Sequence, residues 1–227
     1  MSADFRPTTE RLTIAGPAGD LEALLETPAG ADATRVAVIC HPHPVYGGTM
    51  TNKVVHVLAK SFNERGVPAV RFNFRGVGRS QGSFDNGAGE LSDAAAVLDW
   101  MNTLYPNPSN VWVCGISFGA WIGMQLLMRR PEITGFVSIA PPASMYDFAF
   151  LAPCPASGLI VHGTKDNVVP EPDVQKLVDR LTAQKGIKIT YNKIDGANHF
   201  FDKHEADVVE TVKDYVSNMM SKPREGR

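Results

Sequence analysis

The chain has few cysteines, no long apolar run and no excess of charge of either sign. Three cysteines in 227 residues are too few and too far apart for a disulfide framework or a paired-thiolate zinc site. No apolar run approaches the roughly 18 residues of a membrane span, and the first residues lack the apolar core of a signal peptide. The 22 basic and 24 acidic side chains give no electrostatic argument for nucleic acid or an anionic membrane. We therefore expect a cytoplasmic protein that binds neither.

What the sequence does contain is a regular alternation of β-rich runs and helical patterns. The β-rich runs are 11–15, 20–27, 35–40, 68–74, 111–114, 134–139, 158–161 and 187–194. The helical patterns are 52–64, 91–104, 118–128, 173–183 and 206–219. Several β-rich runs are continuously apolar, which is typical of parallel strands buried on both faces. The alternation predicts an α/β fold, in which helices cover both faces of a mostly parallel, eight-stranded sheet.

The most informative motif is Gly115-Ile-Ser-Phe-Gly119, which lies directly after a predicted buried strand and directly before a predicted helix. On such a strand–turn–helix the central residue, Ser117, occupies a strained turn that exposes its hydroxyl above the sheet, and the flanking glycines prevent collisions. The start of the helix also directs the backbone N–H of Phe118 toward an oxyanion. The motif therefore predicts that Ser117 is a catalytic nucleophile.

A serine nucleophile needs a base and an acid that orients the base, and in this arrangement they follow the serine in the order acid, then histidine. Asp166 follows the β-rich run 158–161, and His199 follows the run 187–194. Ser117, Asp166 and His199 thus all come after carboxyl ends of predicted strands, where open α/β sheets build their sites. Four rivals remain: Asp173 and Asp195 as acids, and His162 and His204 as bases. All four rank lower. Asp173 lies at a predicted helix start, and Asp195 lies too near His199. His162 lies inside a predicted buried strand, and His204 lies on the predicted last helix.

With these motifs in place, the sequence resembles the α/β-hydrolase superfamily from Arg11 to about Met219. The resemblance rests on Gly115–Gly119, His162–Asp166, Gly196–His199, His41–Met50 and Asn73–Gly82. The last two segments resemble a compact, lid-less bacterial branch related to the dienelactone hydrolases and to acyl-peptidase-like hydrolases. This resemblance implies a Ser-His-Asp catalytic triad and no cofactor.

In that superfamily the loop after the third strand supplies the second N–H of the oxyanion hole. Pro42 has no N–H, so the resemblance assigns this role to His43, together with Phe118. His41 and His43 are also candidate zinc ligands, but a catalytic zinc ion needs a third protein ligand. We therefore predict no metal.

Many hydrolases of this fold carry a lid, but the 18 residues of 140–157 leave room for one short helix only. The side chains of Met145 and Phe148, together with Tyr46, are candidates for a shallow substrate pocket. The alternative is that the aromatic rings of this segment pack onto the core.

The sequence thus predicts a single domain over residues 1–220, followed by a disordered tail over residues 221–227. The predicted activity is that of a carboxylesterase that hydrolyses small or medium acyl esters through an acyl-enzyme. Its partner would be a small-molecule ester, and a homodimer stays open. Thioesterase or peptidase activity, a metal-dependent hydrolase and a hydrolase-fold binding protein without turnover are the alternatives.

Overall fold

The computed structural model describes residues 7–221 and contains eight strands and five α-helices within them. The strands are β1 (Thr8–Gly16), β2 (Gly19–Thr27), β3 (Arg35–Cys40), β4 (Ala69–Phe72), β5 (Asn110–Ile116), β6 (Gly135–Ile139), β7 (Gly158–Gly163) and β8 (Ile189–Ile194). The helices are α1 (Lys53–Asn63), α2 (Ala88–Leu104), α3 (Phe118–Leu127), α4 (Glu171–Thr182) and α5 (Glu205–Met220), with a short 3-10 helix at Pro44–Tyr46. Residues 222–227, which make up most of the predicted tail, lie outside the described residues.

All eight strands form one sheet in the order β1-β2-β4-β3-β5-β6-β7-β8. Strand β2 pairs antiparallel with β1 and β4, and the other neighbours are parallel. This confirms the predicted α/β fold with a mostly parallel sheet. The carboxyl ends of β3, β5, β6, β7 and β8 therefore point to one edge, and the loops after them carry all the predicted site residues.

Both faces of the central strands are buried, as the apolar runs predict. On β3, Val36, Val38 and Cys40 face one hydrophobic layer, which includes residues of α2, α3 and α4. The alternate side chains, Ala37 and Ile39, face a second layer with α1 and α5. The sheet is thus packed tightly between two hydrophobic layers, and the strand ends from which the loops begin are held in fixed positions.

The helices match the predicted patterns, with one shift that has a physical cause. Helix α2 begins at Ala88, three residues earlier than the apolar periodicity indicates. The carboxylate of Glu90 accepts the backbone N–H groups of Asp85 and Gly87, which satisfies donors at the helix start. Within residues 7–221 no helix is both long and apolar enough to cross a membrane.

The connection between β6 and β7 takes the place of a lid. Residues 140–157 form turns, and the one short helix for which the length left room does not form there. The indole N–H of Trp121 on α3 donates to the carbonyl of Asp147, and Gln184 donates to the carbonyl of Leu151. The segment is therefore tied to the body of the protein on two sides and leaves the sheet edge open.

Candidate active site

The turn between β5 and α3 has the geometry that the glycine motif predicts. Ser117 has a φ of 53° and a ψ of −122°, a strained conformation for a residue with a side chain. A Cβ atom on Gly115 would lie 2.3 Å from the carbonyl oxygen of Gly119, and one on Gly119 would lie 2.4 Å from the carbonyl oxygens of Cys40 and His41. The two glycines are thus required because the backbone on either side of the serine leaves no space.

The structure brings Ser117, His199 and Asp166 into one hydrogen-bonded chain. The distance from His199 Nε2 to Ser117 Oγ is 3.1 Å, and that from His199 Nδ1 to Asp166 Oδ2 is 2.7 Å. Since an ionised carboxylate only accepts, Nδ1 carries the proton and donates it to Asp166. Nε2 is then the acceptor for the serine hydroxyl, which is the tautomer that a general base requires.

Asp166 is held by more than the histidine. Its Oδ1 accepts the backbone N–H groups of Val168 and Val169, each at 2.8 Å. Burial alone raises the pKa of this carboxyl, but the hydrogen bonds from His199 and the two N–H groups outweigh burial and hold the pKa below its usual range. Asp166 therefore stays ionised and fixed in orientation at neutral pH.

A second histidine lies under this chain. His162 on β7 is fully buried, its Nε2 donates to the carbonyl of Val169 at 2.9 Å, and this nitrogen is 3.7 Å from Asp166 Oδ2. Burial lowers the pKa of His162, so its ring is neutral at pH 7. It supports the turn that presents Asp166, but no contact joins it to Ser117.

The remaining rivals have other partners. Asp195 accepts the hydroxyl of Thr164, and Asp173 pairs with Lys176. His204 bonds to Asp207 and precedes α5 as its N-cap residue, so the prediction that it lies on the last helix is wrong by one position.

The loop after β3 places His43 next to the start of α3. The His43 ring contacts the Phe118 ring at a centroid distance of 4.8 Å, and its carbonyl accepts the N–H of Gly48. Within the described part of the chain, the backbone N–H groups of His43 and Phe118 donate to no other group. Phe118 is the first residue of α3, where N–H groups have no helix carbonyl to bind. Phe118 directly follows Ser117 in the chain, and His43 contacts the Phe118 ring, so both unengaged donors belong to this part of the site.

This loop is anchored by buried polar side chains that the motif analysis missed. Arg71 on β4 donates to the carbonyl of Met50 at 2.7 Å, while its other nitrogen pairs with Glu26 at 2.6 Å. Asn73 Oδ1 accepts the N–H of Met50 at 2.8 Å. Arg71 and Glu26 are almost completely buried. The signal in the sequence was a charged residue in each of two apolar strands.

His41 is part of the same anchorage. Its Nε2 accepts the N–H of Phe74 at 3.0 Å, so Nδ1 carries the proton and donates to the carbonyl of Pro42 at 2.6 Å. Both ring nitrogens are therefore engaged, and burial lowers the pKa of His41 to about 4. Among residues 7–221 no three His, Cys, Asp or Glu side chains are grouped to hold a metal ion. The ring of His41 has no lone pair to offer to zinc.

The predicted pocket residues lie in different environments. Tyr46 and Met145 are exposed at the edge that carries Ser117. Phe148 is buried and belongs to the hydrophobic core, as the packing alternative proposed for the rings of this segment. The ring of Tyr146 stacks on Trp121 at a centroid distance of 4.3 Å and approaches Phe118.

Comparisons with known proteins agree with the fold. Residues 19–157 match the model of the X-Pro dipeptidyl-peptidase (S15) family. A similar protein is the uncharacterized protein RP471 of Rickettsia prowazekii (strain Madrid E), 46% identical over 91% of this chain and 88% of its own length.

Two solved structures are similar along nearly their whole length. ATU1826 of Agrobacterium tumefaciens, a protein of unknown function assigned to the α/β hydrolases, is 53% identical with a TM-score of 0.89, and the match covers 93% of this chain and 96% of that one. XC6422 of Xanthomonas campestris, an α/β serine hydrolase without a lid, is 32% identical with a TM-score of 0.86 over 97% of this chain and 100% of its own.

Proposed function

We propose that this chain, which belongs to the X-Pro dipeptidyl-peptidase (S15) family and has the fold of the α/β hydrolases without a lid, is a carboxylesterase acting on small or medium acyl esters. The observation that carries the proposal is the continuous line of hydrogen bonds from Ser117 through His199 to Asp166. An esterase needs these three groups in this order, with a neutral imidazole facing the serine.

In the proposed reaction, His199 Nε2 takes the hydroxyl proton as Ser117 Oγ attacks the ester carbonyl carbon. The tetrahedral intermediate collapses as the imidazolium returns this proton to the departing alkoxide, which leaves an acyl-serine and a free alcohol. A water molecule, deprotonated by the same imidazole, then attacks the acyl-serine and releases the acid. Asp166 stays ionised throughout and stabilises the imidazolium.

The oxyanion of each intermediate would be bound by the backbone N–H groups of His43 and Phe118. The support for this is that both donors are unengaged and that the His43 and Phe118 rings are in contact. Removing one such donor typically costs about 100-fold to 1,000-fold in kcat. The loop anchored by Arg71 and Asn73 fixes the His43 side of this pair.

The test is steady-state hydrolysis of p-nitrophenyl butyrate. Ser117→Ala and His199→Ala are expected to lower kcat by about 10⁴-fold or more, since the members of a triad act as a unit. His204→Ala is the matched control, because this histidine bonds to Asp207 and has no contact with Ser117. Unchanged activity in His199→Ala would overturn the assignment of the base.

A second candidate is a peptidase, which the family match to X-Pro dipeptidyl-peptidases favours. The same nucleophile and base can cleave an amide when the imidazolium protonates the departing amine. A panel of p-nitrophenyl esters, acyl-CoA thioesters and an Ala-Pro-p-nitroanilide separates the activities. We expect the highest kcat/KM for the esters, and a higher value for the anilide would replace the esterase by the peptidase.

A further inference from the structure

Large hydrophobic side chains are exposed mainly at one edge of this protein. Among residues 7–221, six such side chains are substantially exposed, and five follow carboxyl ends of strands: Val45, Tyr46, Met145, Val168 and Phe200. The sixth, Leu104, ends α2, which leads into the amino end of β5. Exposed apolar groups that gather in one place generally mark a binding surface.

The five residues, which we call the apolar rim, come from loops after four different strands. Those strands are β3, β6, β7 and β8, so the rim approaches Ser117 from several sides rather than from one.

Four members of the apolar rim contact a residue of the proposed active site. The Tyr46 ring contacts the His43 ring at a centroid distance of 4.7 Å, and Phe200 contacts His199 edge-on at 5.2 Å. The N–H of Val168 donates to Asp166 at 2.8 Å.

Val45 makes the fourth of these contacts, whereas Met145 is linked to the site through the next residue in the chain. The N–H of Val45 donates to the ring of His43 at 3.2 Å. Met145 is the neighbour of Tyr146, whose ring approaches Phe118. These contacts fix the rim to the groups that would hold the ester carbonyl.

We propose that the apolar rim binds the acyl chain of the substrate, so that the site selects esters of medium-length acyl chains over acetates. This rests on the proposed esterase function. A carbonyl carbon seated at Ser117 Oγ places the attached methylenes against the surrounding loops, and no lid is present to cover them. The chain would lie in an open apolar surface and not in a tunnel, and hence each added methylene increases the area removed from water.

The experiment measures kcat/KM for p-nitrophenyl acetate, butyrate, hexanoate and octanoate, all below their critical micelle concentrations. A fully buried methylene contributes about fourfold, so one-sided contact predicts a rise of about twofold per methylene. Tyr46→Ser and Phe200→Ser should each lower the ratio of octanoate to acetate kcat/KM by about threefold or more. Taking this ratio removes any general effect of Phe200→Ser on the neighbouring His199.

Leu104→Ser is the matched control, because Leu104 is 47% exposed and Phe200 is 48% exposed. The control should keep the wild-type ratio of octanoate to acetate. A wild-type enzyme that hydrolyses acetate with no dependence on chain length would overturn the proposal for the apolar rim alone. Equal ratios of octanoate to acetate kcat/KM in the wild type, Tyr46→Ser and Phe200→Ser would overturn it in the same way. Loss of all ester hydrolysis would overturn the esterase proposal as well.

Discussion

The two loops that flank Ser117 are held in place by different means. The turn between β5 and α3 is fixed by backbone packing, since neither Gly115 nor Gly119 has space for a Cβ atom. The loop after β3 is fixed by side chains from β4 and the residue just after it. Arg71 donates to the carbonyl of Met50, and Asn73 accepts the N–H of Met50. In the turn, the residues that must lack a side chain stand within five positions, although Gly119 meets the backbone of Cys40 and His41. The loop after β3 depends on side chains more than twenty positions away.

This difference explains why the turn between β5 and α3 could be predicted from the sequence and the anchoring of the loop after β3 could not. A turn that needs glycine on both sides of a serine leaves a short motif, since Gly115 and Gly119 stand close together in the chain whatever backbone they pack against. A loop held by distant polar side chains leaves only isolated charged residues in apolar runs. We therefore expect different losses of stability and activity when the buried polar side chains of one loop, or the glycines of the other, are replaced.

The largest expected fall in the free energy of unfolding comes from the buried side chains that anchor the loop after β3. Arg71→Met removes the partner of Glu26, which is 4% exposed, and leaves the carbonyl of Met50 without its donor. Breaking a buried pair from one side costs about 3 to 5 kcal/mol, so the free energy of unfolding in urea should fall by about 4 kcal/mol.

Arg11→Met provides the control for Arg71→Met. Arg11 is exposed and pairs with Glu22 at 3.4 Å. Glu22 and Glu26 both lie on β2. Surface pairs contribute about 0 to 1 kcal/mol. Similar losses in Arg11→Met and Arg71→Met would contradict the role assigned to the buried network.

An intermediate effect is expected at the turn. Gly119→Ala forces a methyl group against the carbonyl oxygens of Cys40 and His41, which are backbone atoms and cannot rotate away. Overpacking of this kind costs about 3 kcal/mol, measured by urea unfolding, and it also displaces the N–H of Phe118. Ester hydrolysis should therefore fall in the fraction of protein that stays folded.

Gly123→Ala on the same helix separates this collision from helix propensity. A Cβ atom there would lie 3.1 Å from a methyl of Val113, a side chain that can adjust. Its stability should stay within about 1 kcal/mol of the wild type, since alanine is favoured in helices. Equal losses at Gly119 and Gly123 would show that the turn has no special lack of space.

The smallest effect is a pH dependence of stability from His41. Burial lowers the pKa of His41 to about 4 from its ordinary value of 6.5, so below pH 6.5 the unfolded chain takes up a proton that the folded protein does not. Stability from this group is therefore complete above pH 6.5 and is lost as the pH falls toward 4, by about 2 kcal/mol at pH 5. In His41→Gln the fall in unfolding free energy between pH 7 and pH 5 should be smaller by this amount. An identical fall in both proteins would show that His41 is not the group responsible.

Much of the fold could be predicted from the sequence because its signals are local. Apolar runs such as Val111–Cys114 and glycine–serine turns give strands and their order in the chain. The start of α2 was missed because Glu90 caps it from inside the helix, where apolar periodicity carries no information. The turns of residues 140–157 could not be predicted, since Trp121 on α3 and Gln184, two residues after the end of α4, hold that segment.

For the candidate site, the positions of Ser117, Asp166 and His199 after strand ends were sufficient to place them at one edge of the sheet. The support of Asp166 by His162, and of Met50 by Arg71, could not be predicted, because each requires knowing which strands are neighbours. Exposure also could not be predicted, so Phe148 and Tyr46 look equivalent in sequence although one is buried and the other is not.

The central claim is that Ser117 is a nucleophile activated by His199, and covalent labelling tests it most directly. Wild-type protein treated with a fluorophosphonate and analysed by intact mass should carry one adduct, as should Ser144→Ala, whose exposed serine lies in the nearby segment between β6 and β7. Ser117→Ala should carry none. An adduct of equal yield on Ser117→Ala, or no adduct on the wild type, would contradict the account.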